Sequence, residues 1–97
     1  MIRNVLVGRL RPGLERDAVQ PGLDAVAGLR LEGMLDCRVG VDQRLRDGTW
    51  DFAIVCDFVD EAAYRVFDTD EEHNRIRREL IAPVSAELAR VQLSIER

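Results

Sequence analysis

The sequence has no lysine, one histidine and two cysteines among its 97 residues. Without lysine, Schiff-base chemistry is restricted to the N-terminal amine. The two cysteines, Cys37 and Cys56, match neither a zinc-binding spacing nor a dense disulfide framework. One histidine without a matching carboxylate pattern fits no common metal site. We therefore expect no metal and no cofactor, and any acid–base chemistry that needs an imidazole depends on His73.

Long apolar runs and excess positive charge are also lacking. No apolar run approaches the ~20 residues needed to cross a bilayer, and the first residues lack the pattern of a signal peptide. Acidic residues outnumber basic ones by 18 to 14, which gives a net charge of −4. Phosphate backbones bind clustered basic residues, so this balance argues against nucleic acid as a partner. We expect a cytoplasmic protein with reduced thiols and no membrane partner.

Alternating and helical hydrophobic patterns divide the chain into six elements without a linker or repeat, which predicts a single domain over 1–97. The predicted strands cover 2–10, 34–41, 49–59 and 90–96. One helix is predicted over 15–30, starting or bending near Gln20 because Pro21 cannot occupy a helix interior. A second helical region runs from 60 to about 87, with breaks near 68–70 and at Pro83. The order β-α-β-β-α-β predicts a ferredoxin-like α+β fold.

This fold has a four-stranded antiparallel sheet with both helices on one face. The strand parities predict which residues face the helices: Ile2, Asn4, Leu6, Gly8, Leu10, Leu35, Cys37, Val39, Val41, Trp50, Phe52, Ile54, Cys56, Phe58, Val91, Leu93 and Ile95. The opposite, open face would expose Val5, Val7, Ala53 and Val55, which form a surface too apolar to stay in water. We therefore predict a homodimer through the open sheet face, with a monomer as the alternative.

Three segments resemble the stress-responsive A/B barrel (Dabb) family: "MIRNVLVGRLRPG", "RVGVD…GTWDFAIVCDF" and "FDTDEEH". The resemblance covers essentially the whole chain in order and spacing. It implies a dimeric α/β barrel, in which two four-stranded sheets face each other with the helices outside. The family includes plant stress proteins without a firm catalytic role and, more distantly similar, the polyketide-folding olivetolic acid cyclase.

The resemblance carries over site residues only in part. The family usually has a histidine in the first strand, where this chain has Asn4. The cyclase has a further histidine at the position of Phe52 and its catalytic tyrosine at the position of Phe67. The family signature "HP.H" reads "DEEH" here, so Asp70 stands in place of its first histidine. Only His73 matches, and it corresponds to the catalytic histidine of the cyclase.

The sequence around His73 predicts a position in the first turn of a helix. Thr69 and Glu72 fit a capping box, which would start that helix at Asp70. Ile76 and Leu80 continue the face of His73, so the imidazole should point toward the sheet. Burial and the helix N-terminus disfavour the imidazolium, whereas the neighbouring acidic residues favour it, so the direction of the pKa shift stays open. A catalytic or ligand-contacting role and a purely structural role both remain.

We interpret one cavity between sheet and helices as the candidate site. His73 would act as general acid/base or hydrogen-bond partner and Asn4 as polar anchor, with Trp50, Phe52 and Phe67 as walls. The buried amide of Asn4 needs a partner, which His73, a ligand oxygen or a water could provide. The alternative is that the three aromatic residues simply belong to the core.

The leading functional hypothesis is binding of a small hydrophobic or aromatic metabolite, with cofactor-independent cyclase-, lyase- or isomerase-type acid–base chemistry. The rival hypothesis is a non-catalytic stress-response or structural dimer whose cavity is filled by its own side chains. A third hypothesis, a haem-degrading or quinone-type monooxygenase, rests on the presence of asparagine, tryptophan and histidine together.

The two cysteines fall on neighbouring strands near a plausible cross-strand register. A disulfide between Cys37 and Cys56 is geometrically conceivable, but we favour two thiols that pack as small apolar residues.

Overall fold

The computed structural model describes residues 1–96, and its four strands and helices follow the predicted order. The strands are β1 (Ile2–Leu10), β2 (Met34–Val41), β3 (Phe52–Phe58) and β4 (Ser85–Ser94). The helices are α1 (Gln20–Ala27), α2 (Glu61–Thr69) and α3 (Glu71–Ile76). A 3₁₀ turn (Arg16–Val19) precedes α1, and a π-helical segment (Arg77–Ile81) and a 3₁₀ turn (Ala82–Val84) follow α3. The order β-α-β-β-α-β is confirmed.

The sheet has the strand order β2-β3-β1-β4, and all three pairings are antiparallel. In the central strand, Asn4 lies opposite Cys56 of β3 and Gln92 of β4. Leu6 lies opposite Ile54 and Arg90. Side chains alternate between the two faces along each strand, so these pairings fix which residues meet the helices.

The last strand differs from its prediction in both bounds and orientation. It begins at Ser85, so the preceding helical region ends at Val84 and not near residue 87. Val91 lies opposite Val5, and Leu93 lies opposite Arg3. These two apolar side chains therefore face the open side of the sheet, where 49% of Val91 and 42% of Leu93 is exposed. Arg90 and Gln92 take the helix-facing positions, so the predicted inward orientation of Val91 and Leu93 is wrong. Ile95 lies beyond the end of β4.

An irregularity in β2 explains a second wrong orientation. The register with β3 shifts between Met34 and Asp36, so Met34 lies opposite Phe58 while Cys37 lies opposite Cys56. The extra residue removes Leu35 from the helix-facing set, and 40% of its surface is exposed. A β-bulge of this kind cannot be read from alternation, because alternation assumes an unbroken period of two.

The hydrophobic core lies between the helices and one face of the sheet. Its buried side chains come from every layer: Leu6, Val19, Leu23, Val26, Leu29, Phe52, Ile54, Cys56, Phe58, Ala63, Phe67, Ile76 and Ile81. Helix α1 begins at Gln20 with Pro21 in its first turn, as predicted, because the first helical N–H groups have no intrahelical partner to lose.

The break between α2 and α3 occurs at Asp70, within the predicted 68–70 region. Its carboxylate accepts a hydrogen bond from the backbone N–H of His73 over 2.8 Å, so Asp70 is the N-cap and α3 begins at Glu71. The predicted capping box is wrong because the hydroxyl of Thr69 donates to the carbonyl of Arg65 in α2. The predicted position of His73 in the first turn of the helix is confirmed.

Gly8 allows the Phe52 ring to lie directly against β1. The two residues are opposite each other in the sheet, and a Cβ atom built on Gly8 would lie 2.1 Å from Cζ of Phe52. Real Cβ atoms do not approach a carbon so closely, so only glycine fits here. The ring of Phe52 is buried and belongs to the hydrophobic core.

We expect Gly8→Ala to lower the free energy of unfolding by about 1–3 kcal/mol, because the new methyl group overpacks the ring of Phe52. Gly40→Ala is the matched control, since Gly40 is also a strand glycine and a Cβ there meets nothing within 4 Å. Urea unfolding followed by tryptophan fluorescence measures both. Equal stability of the two variants would show that Phe52 can move aside without cost.

Candidate functional site

A cavity of about 40 Å³ lies between the central strand and the second helical region. Its apolar part comes from the core, and its mouth carries exposed charged side chains. The lining residues are Asn4, Leu6, Val26, Ile54, Tyr64, Phe67, Asp68, His73, Arg77, Ile81 and Arg90. This volume holds a few water molecules, since one water needs about 10–15 Å³.

The imidazole of His73 is held by a hydrogen bond to the backbone of α2. Its Nδ1 lies 2.8 Å from the carbonyl oxygen of Phe67. A carbonyl oxygen only accepts hydrogen bonds, so Nδ1 carries the proton and donates it. In the neutral ring, Nε2 then holds a lone pair, and no group within residues 1–96 donates a hydrogen bond to it. Because His73 also lines the cavity, its imidazole is the candidate base of this site.

Packing fixes the plane of the same ring. The imidazole stacks on the ring of Phe67 with centroids 3.8 Å apart and an angle of 24° between the planes. The N-cap bond from Asp70 holds the backbone of His73 at the same time. One residue, Phe67, thus supports the imidazole through both its side chain and its carbonyl group.

Burial lowers the pKa of His73 below its usual value, and the positive charge of Arg77 acts in the same direction. The bond to the Phe67 carbonyl and the carboxylates of Asp68 and Asp70 oppose this shift without reversing it. The sequence left the direction of the His73 pKa shift open, and in the structure the shift is downward. The imidazole is neutral at pH 7, the state in which Nε2 accepts a proton.

Asn4 reaches the cavity from β1, and 6% of its surface is exposed. Its Oδ1 accepts a hydrogen bond of 2.8 Å from Nε2 of Gln92 on the neighbouring strand. The partner expected from the sequence was His73, a ligand or a water, and the structure gives Gln92 instead. This bond orients the amide, because it fixes which end of Asn4 is the oxygen.

The structure brings three of the five predicted site residues together and leaves two elsewhere. Asn4, Phe67 and His73 all line the cavity. Phe52 is a core residue against Gly8 and does not line it. Trp50 precedes β3 and packs beneath the guanidinium of Arg9, 4.4 Å from its ring centroid, on the open side of the sheet. The helix-facing orientation expected for Trp50 is therefore wrong.

The placement of Trp50 separates it from Asn4 and His73 by the thickness of the sheet. The monooxygenase hypothesis rested on these three residue types acting in one site. The structure does not bring them together.

Four polar cavity residues were missed in the sequence: Tyr64, Asp68, Arg77 and Arg90. Tyr64 precedes Phe67 by one helical turn, so helical spacing alone could have identified it. Arg77 follows His73 by one turn and begins the π-helical segment. Arg90 was missed because the apolar residues beside it in β4 suggested the opposite strand orientation.

The phenol of Tyr64 adds a second titratable group to the cavity. Burial and the nearby carboxylate of Asp68 raise its pKa above the usual value, although Arg90 opposes this. The hydroxyl therefore stays protonated at neutral pH and can donate a hydrogen bond.

Residues 1–96 contain no group of three His, Cys, Asp or Glu side chains arranged to hold a metal ion. None of the helices in these residues has the length and apolar character needed to cross a membrane.

Solved structures share this architecture across almost the whole chain. A dimeric ferredoxin-like protein of unknown function from Thermobifida fusca is 26% identical, with a TM-score of 0.84 over 97% of this chain and 90% of that one. A Dabb family protein from Mesorhizobium loti is 16% identical, with a TM-score of 0.75 over 99% and 97%. Hydroxynitrile lyase from Passiflora edulis is 15% identical, with a TM-score of 0.80 over 98% and 93%. The chain has the ferredoxin-like fold.

No family model and no curated protein matches the sequence at a significant level. The proteins from Mesorhizobium loti and Passiflora edulis are 16% and 15% identical to this chain, so their similarity supports the fold alone.

The lowered pKa of His73 predicts a specific loss of stability in mild acid. Between the folded pKa and the unfolded value of ~6.5, the unfolded chain binds more protons than the folded one. The stability that depends on a neutral His73 is therefore fully present above about pH 6.5, and it is lost as the pH falls toward the folded pKa. Comparing urea unfolding at about pH 7.5 and pH 5.5, we expect a larger decrease for the wild type than for His73→Asn. Parallel decreases would contradict a lowered pKa.

Proposed function

We propose that this protein binds a small organic acid with an apolar body in the His73 cavity, and that His73 exchanges a proton with it. The observation that supports the proposal most directly is the state of the imidazole. Its Nδ1 proton is engaged by the Phe67 carbonyl, and the ring lines a cavity with Nε2 available as a base.

The charges at the cavity favour an anionic ligand. Arg77 and Arg90 contribute two guanidinium groups to the lining, and Asp68 contributes the one carboxylate. Neither arginine forms an ion pair with a carboxylate in residues 1–96, unlike Arg75, which pairs with Glu72 and Glu79. The chain as a whole has a net charge of −4, so this local excess of positive charge is specific to the cavity. A ligand carboxylate would complement it.

The size of the cavity constrains what lies inside it. A volume of about 40 Å³ admits a short segment of a ligand between Leu6, Ile54 and Phe67. Arg77 and Arg90 are exposed, so they can rotate aside without disturbing the core. A short apolar group fits inside, and the rest of a hydrophobic or aromatic acid would extend between the two guanidinium groups.

The chemistry that these groups support is cofactor-independent proton transfer of the lyase or isomerase type. Nε2 of His73 would remove a proton from the carbon or hydroxyl group next to the ligand carboxylate and later return it. The phenol of Tyr64 would donate a hydrogen bond to a ligand oxygen, a role that Phe67 cannot fill. General acid–base catalysis by one residue contributes about 10²–10⁴-fold, so the rate enhancement from His73 alone would be modest.

An NMR titration of His73 tests the proposal, since this is the only histidine in the chain. The probes are isobutyrate and phenylacetate, each compared with its uncharged primary amide. We expect the acids to move the His73 resonances saturably and to raise its pKa, because a nearby anion favours the imidazolium. The amides should bind much more weakly.

Arg90→Gln should weaken binding of the acids roughly tenfold or more, since a charge-assisted bond contributes about 1.5–3 kcal/mol. Arg78→Gln is the matched control, because Arg78 is exposed and does not line the cavity. Equal binding of acids and amides would exclude the charge argument. If no probe moved His73, the rival hypothesis of a non-catalytic structural dimer would be favoured.

We also propose a homodimer through the open face of the sheet. This face carries Val5, Val7, Ala53, Val55, Ala89, Val91 and Leu93. Val91 and Leu93 remain about half exposed in one subunit, and contiguous apolar surface of this kind is usually covered. The similar protein from Thermobifida fusca is dimeric. Two sheets facing each other would give the dimeric α/β barrel that the sequence resemblance implies.

Val91→Glu should dissociate this dimer, because it would place a carboxylate within the apolar contact. Val66→Glu is the matched control, since 50% of Val66 is exposed on α2, compared with 49% of Val91. Sedimentation velocity over a range of protein concentrations measures the two variants. A dimer that survives Val91→Glu but not Val66→Glu would place the interface on the helices.

A further inference from the structure

We propose that Cys37 and Cys56 form a peroxide-reactive dithiol site, in which Cys37 is the attacking thiol and Cys56 the resolving thiol. The site lies at the β2–β3 pairing and shares no residue with the His73 cavity. It represents a second chemistry that uses other residues, although Cys56 lies opposite the cavity residue Asn4 in the sheet.

The sheet register places the two sulfurs in direct contact. Cys37 and Cys56 are opposite each other in the antiparallel pair, and their Sγ atoms are 2.6 Å apart. Both residues are free cysteines. Directly opposite strand residues have Cβ atoms about 4.5–5.5 Å apart, close to the ~3.5–4.5 Å of a disulfide. The two thiols can therefore be joined with little movement of the backbone.

The two thiols differ in access to solvent. Cys56 is completely buried, with 0% of its surface exposed, whereas Cys37 is partly exposed. Cys37 also lines an open cavity of about 250 Å³ together with Arg30, Met34 and Asp36. A small peroxide can reach Cys37 through this cavity, whereas Cys56 has no exposed surface to attack.

The electrostatic environment, like the access to solvent, favours Cys37 as the reactive thiol. A hydrogen bond from the Cys56 thiol lowers the pKa of Cys37, and Arg30 contributes to the same shift, while burial and Asp36 oppose it. The guanidinium of Arg30 is held near Cys37 by bonds to the carbonyls of Ala27 and Leu29. The bond with Cys37 and burial raise the pKa of Cys56. The thiolate is the nucleophilic form, so reactivity is concentrated on Cys37.

The reaction balances with a hydroperoxide as the oxidant. The Cys37 thiolate attacks the terminal peroxide oxygen and the O–O bond breaks. The leaving alkoxide or hydroxide takes up the proton that Cys37 released on ionising, so an alcohol or water departs. The resulting sulfenic acid is attacked by the Cys56 sulfur, the S–O bond breaks, and water leaves with the Cys56 proton. Two electrons pass from the two sulfurs to the peroxide. The product is a disulfide that covalently joins the edge strand β2 to β3.

The test uses the purified full chain treated with hydrogen peroxide and then alkylated and digested with trypsin. The expected product is a disulfide between the peptides 31–38 and 47–65, within one chain. In Cys56→Ala the reaction should stop at the sulfenic acid, which dimedone traps on peptide 31–38. Dimedone trapping is needed because oxidation of Met34, which lies in the same peptide, adds one oxygen atom just as sulfenic acid formation does.

Cys37→Ala should lose its remaining thiol roughly tenfold or more slowly than Cys56→Ala, because Cys56 is buried and protonated. If a variant fails to fold, the presence or absence of the disulfide in the wild-type peptide map still tests the proposal. The proposal is overturned if folded wild type keeps both thiols under peroxide that oxidises free cysteine, if the disulfide joins two chains, or if Cys37→Ala reacts as fast as Cys56→Ala.

Discussion

The register of the central strand β1 against its two neighbours is the constraint on which the rest of the structure depends. Side chains alternate along a strand, so a shift by one residue would exchange the two faces. The observed pairing places Asn4, Leu6 and Gly8 toward the helices and Val5 and Val7 toward the open side. One strand thus defines the core, the cavity and the apolar outer face together. Gly8 adds a steric requirement, because only glycine leaves room for the Phe52 ring.

The candidate site depends on this register and on the break between α2 and α3. The break at Asp70 turns His73 back toward the carbonyl of Phe67, which accepts hydrogen bonds from both the backbone N–H of Asp70 and the imidazole. The resulting tautomer leaves Nε2 without a hydrogen-bond donor within residues 1–96, and His73 lines a cavity together with residues of β1 and β4. A local feature of the helices and a long-range feature of the sheet thus supply different parts of one site.

The β2–β3 pairing produces the second reactive feature, which adjoins the cavity because Cys56 lies opposite Asn4 in the sheet. The dithiol lies between the edge strand and β3, whereas the cavity lies between β1, β4 and the second helical region. Both face the helical side of the sheet, so the proposed dimer contact on the open face covers neither of them. The fold can therefore combine association through one face with chemistry on the other.

The sequence alone indicated the element order, the orientation of β1 and β3, a start or bend of α1 near Gln20 and the first-turn position of His73. The first three follow from period-two and helical spacing and from the local demands of proline. The position of His73 was predicted from a capping box at Thr69, although the cap is Asp70. Strand parity placed Asn4 near His73, and the strand order indicated that Cys37 and Cys56 would be neighbours. Phe67 was assigned to the same site through the family resemblance.

Only the tertiary structure decided the orientation of β4, the bulge at Leu35, the location of Trp50 and the partner of Asn4. Alternation shows that β4 has one apolar face, but it cannot show whether that face meets the helices or the open side. A bulge changes the period that the pattern assumes, and Gln92 is 88 residues from the Asn4 that it contacts. The direction of the His73 pKa shift was likewise undecided, because it depends on how deeply the imidazole is buried. Each of these features depends on contacts between segments that are distant in the sequence, and no local pattern encodes such contacts.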